Sequence, residues 1–213
     1  MGRKAAGRAA RCRGERGAAM VEFALILPLI VLLTFGIIEF AIAFNTDSNI
    51  NQAGRAGGRT AAILSTDPQM AYKAGAAAAT SLDISPGTVQ GSPTVCVAKF
   101  NPAQPTSCIN NAFATVMTLV HPGKPNSPVW QIADEDDQGN FPAADNWPVS
   151  QRSYGCPVNG QPGNYDKVIV LVQANHKLLV PGLFSVFFNN DSSPKFNAVA
   201  VFQLEPVSTN NCS

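Results

Sequence analysis

Asp134, Asp136, Gln138, Gly139 and Asp145 stand at positions 1, 3, 5, 6 and 12 of one stretch. Oxygen ligands at that spacing can close around a hard cation such as calcium, with the glycine allowing the sharp turn. Three features weigh against an ion: position 12 holds Asp145 where a longer bidentate Glu is usual, Pro142 interrupts the loop, and no helical pattern flanks it. A solvated acidic loop is the preferred reading, with calcium held by Asp134, Asp136, Gln138 and Asp145 as the alternative. The two histidines, His121 and His176, each stand where a strand-like run ends, and neither belongs to an HExxH or has a second candidate ligand nearby. There is no GxSxG, no P-loop and no GxGxxG behind a strand. The pattern supports no enzyme and calls for no cofactor.

Of the five cysteines, Cys12 lies in a basic N-terminal tail, and Cys96, Cys108, Cys156 and Cys212 follow a long apolar run. Four cysteines allow three pairings. Proximity within one hairpin favours Cys96–Cys108, leaving Cys156–Cys212. No CxxC or Cys/His zinc spacing competes with disulfides.

The elements that would position these groups are organised around residues 16–44, the long apolar run of a 213-residue chain. Phe23 to Ile38 carries no charge. About 20 such residues suffice to cross a hydrocarbon core about 30 Å thick. Arg3, Lys4, Arg8, Arg11, Arg13 and Arg16 crowd the segment before it, so residues 1–17 read as a cytoplasmic leader under the positive-inside rule. Residues 18–44 then span the membrane, and everything beyond is extracytoplasmic, where disulfides form. The rest of the chain is left slightly acidic, which excludes a basic nucleic-acid footprint on the folded part.

Residues 45–65 continue the helix to about Leu64 as a stalk. Gly54, Gly57 and Gly58 make it either a loosely packed solvated rod or a close-packing surface for neighbouring helices. Asp67-Pro68 predicts the start of a second helix over Gln69–Ser81, with Asp67 as its cap. Past Ser85-Pro86-Gly87 the pattern turns to strands: Thr94–Phe100, Phe113–His121, Val129–Ala133, Lys167–Ala174, Leu183–Phe188 and Phe196–Leu204. Val168–Val172 is apolar throughout, as in a strand buried on both faces. Residues 121–165, rich in Pro, Gly, Asn and Asp, read as a long surface excursion. The predicted fold class is α+β: a transmembrane helix and stalk, then a small antiparallel-sheet domain over 66–213.

Gly17-Ala18-Ala19-Met20-Val21-Glu22-Phe23 resembles the prepilin-peptidase recognition sequence of type IV pilin-like proteins. The whole run RGAAMVEFALILPLIVLLTFGIIEF, with Arg55-Ala56-Gly57-Gly58-Arg59 downstream, is similar to the TadE-like family, minor pseudopilins of the Flp (tight adherence) pilus system. Ala56 replaces the acid usual in that second motif. The resemblance implies a cut between Gly17 and Ala18 by a prepilin peptidase in a bacterial cytoplasmic membrane. It further implies that Glu22, beside Phe23, pairs with the N-terminus of a neighbouring pilin-like subunit on the assembly platform. The physics is compatible, since an acid at a helix centre in lipid costs about 2.5–3.5 kcal/mol unless partnered or interfacial. Glu39 is expected near headgroups. The alternative is a secreted or membrane-anchored binding domain, released after Ala41-Ile42-Ala43 or held by a plain anchor, with calcium in its acidic loop.

Overall fold

The computed structural model describes residues 12–105, 107–121, 130–135, 140–153, 164–185, 191 and 193–205. The chain divides into two units, residues 1–41 and 42–213. In the first, the described residues are all helical. They form the beginning of α1 (Cys12–Ile63), which carries Pro28 within it.

The second unit is an antiparallel sheet packed on helix. Its strands are β1 (Thr94–Lys99), β2 (Thr115–Val120), β3 (Gln131–Ile132), β4 (Lys167–Asn175) and β5 (Lys195–Gln203), in the order β3-β2-β1-β4-β5. β4 lies inside the sheet between β1 and β5, and Val168 to Val172 are buried without a break, as the unbroken apolar run predicts. β5 pairs with β4 in the register Lys167↔Gln203 through Asn175↔Lys195 and alternates along its length, as one side of an edge strand should.

Residues 42–63 of α1 are not a stalk. Ala43, Thr46, Ile50, Ala53, Gly54, Gly57, Gly58, Ala61 and Ala62 are buried at helical spacing. Cβ atoms built on Gly54 would touch Ala198, Ala200 and Val172, and one on Gly57 would lie 2.9 Å from the carbonyl oxygen of Ala74. The small residues admit the domain's own sheet and helix rather than neighbouring chains. Contacts advance together: Gly54 by Ala200, Gly58 by Phe202, and the Ala62 carbonyl accepting from Glu205 N–H at 3.1 Å. This part of α1 and β5 therefore run side by side in the same direction.

α2 (Met70–Thr80) presses Met70, Ala71, Ala74, Gly75, Ala78 and Ala79 into the same core, its alanines allowing close approach to β1 to β3. It starts later than Asp67-Pro68 predicts, because Asp67 Oδ1 accepts from Gln69 N–H (2.7 Å) in a preceding turn. Leu183 and Phe184 fall in the short helix α3 (Pro181–Phe184) rather than a strand, since Pro181 at the first position favours helical φ. Residues 186–188 of that expected strand lie outside the described residues.

The excursion at 121–165 is not a surface feature throughout. Trp130, Ile132, Trp147, Asp145 and Arg152, all within it, are buried.

Candidate functional site

The predicted processing and assembly residues all lie near the start of α1. Gly17, Ala18, Glu22 and Phe23 are helical and exposed. A Cβ built on Gly17 meets nothing within 4 Å, so its backbone is open to an approaching partner. Beyond it the apolar side chains stay outward: Leu25 is 74% and Phe40 71% exposed. Residues 17–63 have a mean hydropathy of 2.6 in their most apolar stretch, of which only 6% is buried. A helix this apolar with its side chains turned out needs lipid or other helices around it. The chain thus has one N-terminal helix apolar enough to span a membrane. Glu39, expected at headgroup level, is 4% exposed and engaged within the chain.

The disulfide expectation holds at its first half: Cys96 of β1 bonds to Cys108 across a separation of 12 residues, and both are buried. The bond ties the loop after β1 across one sheet face, where Ala98, Ile169 and Leu171 form a second small core. Cys156 and Cys212 lie outside the described residues, as do Asp136 and Gln138 of the acidic stretch.

Asp134 and Asp145 are separated in environment, the first exposed and the second buried. Asp145 is occupied by protein groups. Its Oδ2 accepts from Ala71 N–H at the start of α2 (2.9 Å), and its Oδ1 accepts from Trp147 N–H (3.1 Å). Arg152 Nη2 donates to both oxygens at 2.8 and 2.9 Å. The remaining guanidinium donors reach the carbonyls of Ser65 (2.9 Å), Asp67 (2.7 Å) and Trp147 (2.9 Å).

This cluster sits where α1 has ended and α2 begins. The anion meets the positive end of α2, and the cation meets carbonyls just past α1. Its guanidinium also lies 5.6 Å from the Trp147 ring centroid. Asp67, next to it, would be raised by burial. The Lys73 ammonium, the Gln69 N–H and the Arg152 charge outweigh that and hold its carboxyl below the usual range. Burial and the negative charges of Asp134 and Asp145 push the Tyr72 phenol up. With its donors and acceptors matched, the cluster is a structural clamp between two helices. Sequence reasoning missed Arg152, whose only signal was a lone cation close to a tryptophan.

No curated protein and no solved structure matches the chain. Residues 17–59 match the family model described as TadE-like protein, so the resemblance read from Gly17–Phe23 and Arg55–Arg59 holds across that segment.

Proposed function

We propose that this chain is a membrane pseudopilin that contributes to assembly of a Flp-type adhesion pilus, and that its role is structural rather than catalytic. The observation that carries this reading is the coincidence of two features. The TadE-like match begins at Gly17, and from Gly17 onward α1 presents exposed apolar side chains through Phe40. A helix made to be surrounded, headed by a Gly-Ala bond with open space around it, suits a peptidase substrate that then packs among other helices.

In this reading the leader is cut between Gly17 and Ala18. The new ammonium at Ala18 lies four residues from Glu22, on the same helical face. Glu22 then has a choice between its own N-terminus and that of a neighbouring pilin-like subunit, which is how it would register subunits during assembly. The leader stays cytoplasmic and the domain extracytoplasmic.

The test is the N-terminus of the chain isolated from a host carrying the cognate peptidase, read by intact mass and N-terminal peptide. Ala18 as the first residue is the expected result. Met1 retained, or Phe44 exposed, would overturn it in favour of a plain anchor or a secreted domain. Glu22→Gln should leave the cut intact while reducing co-purification with other pilin-like subunits.

A further inference from the structure

We propose that the segment Lys177–Gly182, which runs from beyond β4 into the first residues of α3, is a lipid contact of the folded domain, seated at the boundary between acyl chains and headgroups. The proposal rests on the reading of α1 as a membrane span and adds a second attachment to it.

The placement follows from one cavity of about 250 Å³, lined by Ile42 of α1, Gly87, Thr88, Lys177, Leu178 and Leu179. Ile42 belongs to the apolar run, and Phe44 beyond it is still 67% exposed. From Phe23 to Ile42 a helix rises about 30 Å, the thickness of a hydrocarbon core of about 30 Å. If Phe23–Ile42 fills the core, a loop at the level of Ile42 lies at the lipid surface. Leu178 and Leu179 are at that level.

The loop's chemistry fits that depth. Leu179 is 59% exposed, and Pro181 and Gly182 are exposed beside it. Lys177 is exposed at its start, where an ammonium on a long apolar stem can lie along lipid and reach phosphate oxygens. From Leu178 to Phe188 the sequence LLVPGLFSVFF carries no charge. An apolar stretch of about 10–14 residues is too short to span and suits an interfacial segment.

The full chain reconstituted in phosphatidylcholine vesicles with brominated acyl chains provides the test. Tryptophans are introduced singly as Leu179→Trp, Gln203→Trp at the far end of β5, and Leu32→Trp within the apolar run. Trp130 and Trp147 contribute a constant background, measured on the unsubstituted chain. The added emission should be largely lost at positions 179 and 32 and retained at 203. Quenching at 32 with none at 179 overturns the loop contact while leaving the span intact. No quenching at 32 overturns the span, and the loop contact with it. Emission at 179 that resists bromine yet is shielded from aqueous iodide would assign the loop to a protein neighbour instead.

Discussion

Arg152 and Asp145 form an ion pair at 2.8 Å in which neither side chain has solvent exposure. Two charges withdrawn from water are kept only if their other hydrogen-bonding capacity is filled. Here the fillers are backbone groups of the turn after α1 and of the start of α2: the carbonyls of Ser65 and Asp67 for Arg152, and the N–H of Ala71 for Asp145. The pair therefore ties the turn that follows α1 to the first residues of α2 as well as neutralising itself.

Arg152→Met or Asp145→Leu alone should each destabilise the chain by about 3–5 kcal/mol, because the surviving charge stays buried without its partner. The double variant should lose clearly less than the sum. Urea unfolding of the full chain in detergent, followed by tryptophan fluorescence, measures both. Single losses below about 1 kcal/mol would mean the pair behaves like a surface one.

The glycines of α1 should respond to alanine with opposite signs. At Gly54 the added methyl makes only ordinary contacts of 3.7–3.9 Å, so Gly54→Ala should stabilise by up to about 1 kcal/mol through helix propensity. At Gly57 the methyl meets the Ala74 carbonyl oxygen at 2.9 Å, and backbone cannot step aside as a side chain can. Gly57→Ala should destabilise by about 1–3 kcal/mol despite the same propensity gain. Paired melting curves decide the matter, and equal shifts in the same direction would contradict the packing described.

Asp67 predicts an acid limb of stability. Its folded carboxyl titrates below its ordinary value of 3.8. The contribution is therefore present in full above that value and is lost as pH falls through the lower folded value. Asp67→Asn should reduce the melting temperature at pH 7, and the gap to the unsubstituted chain should close at strongly acid pH. A gap that widens on acidification would reverse the sign assigned here.

Cys96 and Cys108 should resist alkylation in the unreduced, denatured chain and become reactive after reduction. Replacing both with serine should cost about 2–3 kcal/mol, the scale expected for closing a short loop. Peptide mapping with and without reductant reads the first outcome, and thermal unfolding reads the second.

Much of this architecture is legible in the sequence. The unbroken Val168–Val172 run points to a strand buried on both faces, because such burial removes the need for alternation. The Cys96–Cys108 bond followed from closeness in sequence. The stalk was misread because small residues in a helix say that something approaches closely without saying what. For Gly57 the partner is α2 of the same chain, seventeen residues onward at Ala74. The excursion was misread because its composition is that of a loop. Yet both tryptophans of the chain lie in it, and large apolar rings in a supposed surface segment were the available warning. Arg152 had no comparable signal, since neither periodicity nor spacing marks a single cation destined for burial.

The clamp also imposes an order in time. The carbonyls of Ser65 and Asp67 are met by a side chain that follows them by 87 and 85 residues. At synthesis rates of about 5–20 residues per second, that interval is roughly 4–17 s. Within that interval β1 to β3, the strands that cover the alanine-lined face of α2, are all made, so the turn between the helices is the last part of this layer to gain its partner.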